Sequence, residues 1–218
     1  VLYQKLWRTG GRVDSLYGFN CPDRCDAFVL LEKDYSETTA ISLFYARGSF
    51  FMEASVAVIG AGNGGTAIAA YLSSQGVKVN LCDLFPQYIT GIQQASGINL
   101  TVNGRTSHCQ LNLVTTDIPL AIQDIHLIMV VTPSFTHRLI AKACCNALEE
   151  GQTVILNPGR TGGALDFLNV IRSRGCKADV TIAEAQTLIY ACRKTGPSSV
   201  EISGIKKKIL LGALPANR

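Results

Sequence analysis

The order of apolar and polar residues divides this chain into two parts. Residues 1–52 mix aromatic and charged residues without a sustained helical or strand period. From residue 53 onward, short apolar runs typical of buried strands alternate with longer stretches of helical period. We therefore predict an N-terminal extension over residues 1–52 and a folded domain over residues 53–218. Met52 lies four residues before the first predicted strand. One interpretation is that translation starts there, and a genuine extension with its own role is the alternative.

The alternation predicts an α/β domain built from strand–helix–strand units, with a doubly wound and mostly parallel sheet. The predicted strands cover residues 56–59, 77–82, 98–102, 110–114, 125–131, 153–156, 180–185, 200–203 and 208–211. Helices are predicted over 64–75, 87–96 and 163–173, after Asp117, and from Thr132-Pro133-Ser134 onward. Strands 98–102 and 110–114 should pair as a hairpin around Asn103-Gly104, and the last two strands should form a terminal β-hairpin.

Composition and charge narrow the classes of function. With 47% hydrophobic and 17% charged residues, the chain has enough apolar material for a sizeable core. The net charge of +4 is mild, and the lysine run at residues 206–208 is interpreted as a solvated hairpin, so no nucleic-acid partner is expected. The longest apolar runs, such as residues 127–131, are far shorter than the ~20 residues of a membrane span, and no membrane association is expected.

The cysteines and histidines do not form a metal-binding pattern. The eight cysteines contain no C-x2-C pair, and none of the three histidines stands at zinc-finger spacing from a cysteine pair. No metal site is therefore predicted. Cys82 lies on an apolar strand and Cys144-Cys145 in a helical stretch, where cysteine behaves as a small hydrophobic residue. Free thiols in a reducing cytosol are the favoured interpretation, and a cytoplasmic location is expected.

A glycine-rich segment carries the strongest signal for function. Residues 56–67 read VAVIGAGNGGTA, a G-x-G-x-x-G spacing between an apolar strand and an alanine-rich helix. The first glycine permits a sharp turn, the second lets the backbone approach a pyrophosphate, and the third lets helix and strand pack closely. Amides at the helix N-terminus then favour a phosphate group. This pattern predicts a Rossmann-type dinucleotide site formed by Gly60, Ala61, Gly62, Asn63, Gly64 and Gly65.

An acidic residue at the end of the second predicted strand indicates which dinucleotide binds. Asp83 stands 18 residues after Gly65, where a carboxylate can accept hydrogen bonds from the adenosine ribose hydroxyls and repel a 2′-phosphate. No arginine or lysine follows between residues 84 and 90 to bind such a phosphate. NAD(H) is therefore predicted over NADP(H). The alternative is an ordinary aspartate at a strand end beside a glycine loop.

Further polar residues follow the later strands, at the edge where ligands of open parallel sheets bind. The candidate cofactor-binding residues there are Thr132, Pro133, Ser134 and Asn157, with helix capping and turn formation as the alternative role. The candidates on the substrate side are Glu184, Gln186, Tyr190 and Arg193, with a structural role as the alternative. His137 is expected on a helix surface near the site. The spacing yields no Ser-His-Asp arrangement or pair of catalytic carboxylates, so no catalytic acid or base is assigned.

Residues 56–215 resemble the NAD-binding domain of opine dehydrogenases, the octopine and nopaline dehydrogenase family. The strings that carry the resemblance are VAVIGAGNGG, VTTDI, VVTPSFTH, LNPGRTGGALDF and AEAQTLIYACRKTGP, at residues 56–65, 114–118, 130–137, 156–167 and 183–197. The last two strings are the most specific, because many dehydrogenases share the glycine motif. The resemblance covers about three quarters of the chain.

The resemblance implies an NAD-dependent oxidoreductase that condenses the amino group of an amino acid with a 2-oxo acid and reduces the resulting imine by hydride transfer. Its partners would be these small-molecule substrates. The family continues into a helical second domain that carries a histidine and an acidic partner for proton transfer, and no such sequence follows Arg218. We therefore expect a truncated chain that lacks this second domain.

Two other functions remain open on the sequence. Glycerol-3-phosphate dehydrogenases have a similar glycine motif, so an NAD-dependent enzyme of that type is one alternative. A catalytically silent NAD-binding module, with residues 1–51 as an interaction segment, is the other. The sequence gives no indication of the oligomeric state.

Overall fold

A computed structural model describes residues 54–216 together with two short strands, Leu16–Phe19 and Ala27–Leu30. The chain divides into two compact units, residues 1–48 and residues 49–218. In the first unit, the two short strands pair in antiparallel orientation. The predicted boundary after residue 52 and the start at Met52 lie outside the described residues and stay predictions.

Strands and short helices alternate along the described residues. In chain order, the strands are β1 Leu16–Phe19, β2 Ala27–Leu30, β3 Ser55–Ile59, β4 Lys78–Cys82, β5 Ile98–Val102, β6 Arg105–Cys109, β7 Leu113–Thr115, β8 Leu127–Val130, β9 Thr153–Leu156, β10 Thr181–Ala185, β11 Tyr190–Gly196, β12 Ser199–Ile205 and β13 Leu211–Leu214. The α-helices are α1 Asn63–Ser74, α2 Thr90–Gln94, α3 Ile118–Ile122, α4 His137–Cys144 and α5 Gly163–Ser173. Single 3-10 turns lie at Pro86–Tyr88 and Ser134–Thr136.

A seven-stranded sheet forms the centre of the second unit, in the order β13-β10-β9-β8-β3-β4-β7. All neighbouring pairs are parallel except β13, which runs antiparallel to β10 at one edge. From β3 the chain builds outward through β4 and β7, and then returns to β8 on the other side of β3. The predicted Rossmann-type α/β fold is confirmed. Ligands of such sheets bind where the strand order reverses, at the carboxyl ends of β3 and β8.

The two faces of this sheet are covered differently. On one face, α3, α4 and α5 bury a continuous apolar core that includes Ala57 and Ile59 of β3 and the fully buried Cys82. The other face carries α1, which also contacts a second sheet of order β11-β12-β5-β6. Every residue from 65 to 72 of α1 is buried. A helix enclosed between two sheets needs apolar or small residues on all sides, which explains its alanine-rich sequence.

The predicted hairpin after residue 98 has the right turn and the wrong second strand. Asn103 and Gly104 both have positive φ, 51° and 75°, as the two-residue hairpin turn requires. The partner of β5, however, is β6, which follows the turn directly. Its residues RTSHC are exposed except for Cys109, so no apolar period indicated a strand there. Residues 113–115 form β7 and join the central sheet instead.

The predicted terminal hairpin is also wrong. β12 pairs antiparallel with β11 and parallel with β5, while β13 pairs with β10. The lysine run at residues 206–208 is exposed, but it lies in the connection between β12 and β13 rather than in a hairpin turn. The sequence of β11, YACRKTG, is largely polar, and its strand character depends on pairing within the second sheet.

Two smaller features complete the fold. The predicted helix over 87–96 consists only of the 3-10 turn at Pro86–Tyr88 and of α2, where Gly91 packs directly against Pro197. In the part of the chain that the structure describes, no helix has the length and apolar character needed to cross a bilayer.

Candidate functional site

The loop between β3 and α1 packs tightly against the end of β8. Gly60 has a φ of +110°, and a Cβ there would lie 2.5 Å from the carbonyl oxygen of Val131. A Cβ on Gly65 would collide with the carbonyl oxygen of Gly60. A side chain at either position would therefore push the helix away from the strand. These are the contacts for which the dinucleotide motif needs glycine.

Gly62 stands in open space. A Cβ at this position would meet no atom within 4 Å, and its φ of −73° is ordinary for any residue. It immediately precedes α1, whose N-terminus receives no capping side chain among the described residues. Unpaired amides at a helix N-terminus bind anions, because they combine hydrogen-bond donors with the positive end of the helix dipole. The local structure therefore fits a pyrophosphate at this position.

Asp83 connects the glycine loop to the end of β4. Its Oδ2 accepts a hydrogen bond of 2.7 Å from the backbone amide of Ala61, and its Oδ1 accepts one of 3.0 Å from the amide of Phe85. These bonds hold the carboxylate in place, and the side chain is 8% exposed. Each carboxylate oxygen has a second lone pair for a further donor. The position fits the predicted contact with a ribose, which stays a prediction.

The turn after β8 contains a polar atom without a partner. The hydroxyl Oγ1 of Thr132 is buried and has no hydrogen-bond partner among the described residues, so it does not cap the following helix. Pro133 and Ser134 are exposed, and α4 begins only at His137. Since buried hydroxyls normally have partners, this unpaired atom at the carboxyl end of β8 is compatible with a ligand contact.

The expectation that His137 lies on a helix surface is wrong. Its side chain is 3% exposed, and its Nε2 lies 3.2 Å from the carbonyl oxygen of Thr132. Because that carbonyl can only accept, Nε2 carries the proton. Burial lowers the pKa of His137, although the bond to Thr132 and the charges of Asp166 and Glu184 partly oppose this shift. The neutral ring thus holds the turn that follows β8.

Asn157 occupies the corresponding position after β9. It is 5% exposed, its backbone amide donates to the carbonyl of Val130, and its Nδ2 donates to the carbonyl of Ile155. The backbone amide therefore links the ends of β8 and β9, and the side chain stabilises the turn after β9. A cofactor contact of Asn157 stays a prediction.

The four substrate-side candidates separate into two groups. Glu184 lies at the end of β10, where its carboxylate accepts hydrogen bonds from the amides of Ala164 (2.8 Å) and Gly162 (3.4 Å) and so caps α5. Gln186 is exposed next to it, and its backbone amide donates to Leu210. The other two lie on β11 in the second sheet.

On β11, the buried ring of Tyr190 packs against Tyr71 of α1, with 5.3 Å between ring centroids. Arg193 is exposed and stands opposite Glu201 of β12. The structure therefore brings Glu184 and Gln186 to the carboxyl ends of the central sheet and puts the other two on a different sheet. A substrate contact by any of the four stays a prediction.

Lys194 is a residue of this region that the sequence analysis missed. Its backbone amide donates to Oδ1 of Asn63 at 2.9 Å, and its Nζ reaches the carbonyl oxygens of Ala61 (3.3 Å) and Tyr88 (3.4 Å). Lys194 is 131 residues distant from Asn63 in sequence and belongs to another sheet. No local pattern connects it to the glycine loop.

Fold and loop together define a Rossmann-type dinucleotide-binding domain. The chain belongs to the family described as NAD-dependent glycerol-3-phosphate dehydrogenase N-terminus, whose model matches residues 55–163. The opine dehydrogenase of Arthrobacter sp. (strain 1C) is 39% identical over 160 residues, covering 73% of this chain and 44% of that protein. Glycerol-3-phosphate dehydrogenase [NAD(P)+] of Moorella thermoacetica is 32% identical over 109 residues, covering 50% of this chain and 32% of that protein.

Solved structures have the same fold. Octopine dehydrogenase bound to NADH and L-arginine superposes with a TM-score of 0.66 at 22% identity, covering 74% of this chain and 42% of that one. The chain thus spans less than half the length of each of these three relatives. The resemblance to opine dehydrogenases and the prediction of NAD as the cofactor are confirmed, and the stronger of the two curated matches is the opine dehydrogenase.

Proposed function

We propose that this chain is the cofactor-holding domain of an oxidoreductase of the opine dehydrogenase type. In that reaction the amino group of an amino acid attacks the carbonyl carbon of a 2-oxo acid, and water leaves to give an imine. Hydride from NADH and one proton then convert the C=N bond to a secondary amine. The observation that carries this proposal is the 39% identity to an opine dehydrogenase over 160 residues.

Different residues of this chain would bind different parts of the cofactor. Amides of the loop from Gly60 to Gly65 would bind the pyrophosphate, and Asp83 would accept from the adenosine ribose. On the nicotinamide side, the unpaired Thr132 hydroxyl and the neighbouring Pro133, Ser134 and Asn157 would line the cleft. Bound NADH supplies the hydride, and the protein fixes its position relative to the acceptor carbon.

Cofactor binding is tested first, by titration calorimetry of the 218-residue chain with NADH and NADPH. We expect NADH to bind with the higher affinity, because Asp83 repels a 2′-phosphate. A folded protein that took up neither nucleotide would contradict the proposal at its base.

Turnover is tested in a chimera that joins this chain to the rest of the Arthrobacter opine dehydrogenase. NADH oxidation is followed with pyruvate and a panel of amino acids. Oxidation that needs both substrates supports the proposal. A chimera that binds NADH without turnover across the panel contradicts it and favours the silent NAD-binding module.

The family match favours one further candidate, a glycerol-3-phosphate dehydrogenase type of enzyme. The two functions differ in their need for an amine. Oxidation of NADH by dihydroxyacetone phosphate, without any amino acid, would identify this second function.

A further inference from the structure

Lys194 on strand β11 of the second sheet places its ammonium group against the glycine loop. The backbone amide of Lys194 donates to the side chain of Asn63, and Sγ of Cys192 on the same strand contacts the carbonyl of Asn63 at 3.4 Å. These contacts fix β11 against the first residue of α1. The Lys194 side chain is therefore held over the loop rather than extended into solvent, and it is only partly exposed.

The ammonium group of Lys194 retains an unused donor. Of its three N–H groups, two serve the carbonyl oxygens of Ala61 and Tyr88, and the third has no partner among the described residues. The two carbonyls belong to the glycine loop and to the segment after β4, so the ammonium lies on the adenosine side of the site. Burial lowers the pKa of Lys194, and the negative charge of Asp83 raises it. Asp83 bonds to the amide of Ala61 and Lys194 to its carbonyl, so the two opposite charges meet at the same residue of the glycine loop.

We propose that Lys194 is a cofactor-binding residue that, together with Asp83, sets the preference between NADH and NADPH. Asp83 repels a 2′-phosphate, whereas the ammonium attracts it. Residues 84–90 contain no lysine or arginine, so the sequence alone predicts selectivity for NADH. The fold brings the ammonium of Lys194 on β11 to the glycine loop, and this cation weakens the selectivity for NADH over NADPH. This inference rests on dinucleotide binding and is independent of the substrates proposed above.

The competing role for Lys194 is purely structural, as a tether between the second sheet and the glycine loop. A tether predicts that its loss weakens both nucleotides equally. A phosphate-binding cation predicts a larger loss for NADPH, and it predicts that the effect of Asp83 on selectivity depends on Lys194. A double-mutant cycle separates the two roles, because it measures this dependence directly.

The experiment compares the wild-type chain with Asp83→Asn, Lys194→Met and the double variant. Dissociation constants for NADH and NADPH are measured by titration calorimetry. Asp83→Asn should shift the affinity ratio towards NADPH by about tenfold, since a charge-assisted contact is worth about that much. Lys194→Met should shift the ratio the other way by a similar factor. In the double variant the gain in NADPH affinity from Asp83→Asn should be lost.

Two further variants provide a control and a substitute for Lys194→Met. Lys177→Met makes the same change at an exposed lysine before β10, outside the glycine loop and β11, and should leave both affinities unchanged. Lys194→Gln keeps N–H donors for the two carbonyls but removes the charge, so it should still lose affinity for NADPH more than for NADH, and it serves if Lys194→Met does not fold.

Specific outcomes would overturn the inference. Equal losses for NADH and NADPH in Lys194→Met, with the Asp83→Asn shift intact in the double variant, would leave only the tether. If wild-type protein binds NADH and Lys194→Met has the same ratio of NADH to NADPH affinity, this inference is refuted while the proposed function stands. If wild-type protein binds neither nucleotide, both this inference and the proposed function are refuted.

Discussion

Two helices begin at the same edge of the central sheet, and their N-termini are treated in opposite ways. Before α1, Gly62 faces open space and no described side chain caps the helix. Before α5, the carboxylate of Glu184 accepts hydrogen bonds from the amides of Gly162 and Ala164. Both ends offer the same amides and the same dipole. One is left available for an external anion, and the other is already occupied by an anion of the protein.

This difference divides the cleft into a binding half and a scaffold half. Around α1, no described side chain caps the helix, and Asp83 and Lys194 each bond to the backbone of Ala61 in the adjacent loop. Around α5, Glu184 is bonded to backbone amides and His137 to the carbonyl of Thr132, while Asp166 is bonded to the side chain of Arg138. Substitutions near α1 should therefore change nucleotide affinity, and those near α5 should mainly change stability.

The largest effect is expected for Gly62→Ala. The added methyl group meets no protein atom within 4 Å, so the free energy of unfolding should change by less than about 0.5 kcal/mol. It would, however, occupy the approach of the pyrophosphate to the backbone, and NADH affinity should fall by about 100-fold or more. Titration calorimetry and urea denaturation measure the two quantities separately.

Gly65→Ala is the matched comparison. Its methyl group would collide with the carbonyl of Gly60, so it should destabilise the fold by about 1–3 kcal/mol as well as weaken NADH binding. If Gly62→Ala bound NADH with unchanged affinity, the phosphates would have to lie elsewhere.

A smaller effect, on stability alone, is expected for Glu184→Gln. The substitution keeps an acceptor for the Ala164 amide but removes the negative charge at the α5 N-terminus. We expect a loss of about 1–2 kcal/mol in the free energy of unfolding, with little change in NADH affinity. Glu149→Gln, at an exposed glutamate, is the control and should be close to neutral. A stable Glu184→Gln protein would instead favour the substrate-side role for this carboxylate.

His137 should make stability depend on pH. Burial lowers its pKa in the folded state below the value of about 6.5 for an unfolded chain. As pH falls through about 6.5, the unfolded state takes up the proton first, and the free energy of unfolding decreases until the lower native pKa is reached. Above that window His137 is neutral in both states and contributes no slope.

His137→Gln should flatten this slope, because glutamine can donate to the Thr132 carbonyl without titrating. The free energy of unfolding is measured by urea denaturation from pH 7.5 to 5. His126→Gln, at an exposed histidine, should leave the slope unchanged. The same pH dependence in wild-type and His137→Gln protein would argue against a neutral, buried ring.

The sequence predicted the parallel strands β3, β4, β8, β9 and β10 and the glycine loop because each is a local signal, whereas the regions of β7 and β13 were expected in hairpins. An apolar run, the three glycines of the motif and an acidic residue at fixed spacing define β3, α1 and the end of β4 without any distant contact. The position of His137 could not be found in this way. Phe135 is 85% exposed and His137 is 3% exposed. The apolar residue is thus exposed and the polar one buried, the reverse of the usual arrangement.

The second sheet was missed for a different physical reason. β6 and β11 are rich in polar residues, and their strand conformation follows from pairing partners rather than from their own apolar period. Lys194 was missed because its neighbours in the glycine loop are distant from it in sequence. A site assembled from two sheets cannot be derived from the spacing of one motif.

The smallest effect is expected for Arg138→Gln, which tests the outer surface of the scaffold half. Arg138 of α4 donates to both carboxylate oxygens of Asp166 in α5, with Nη2–Oδ1 at 2.7 Å. The hydrogen bonds from Arg138 lower the pKa of Asp166, yet both side chains lie at the surface, where solvent screens the attraction. We expect the melting temperature to fall less than in Glu184→Gln, and NADH affinity to stay unchanged. A drop as large as that of Glu184→Gln would mean that the exposed ion pair contributes as much to stability as the cap that Glu184 provides for α5.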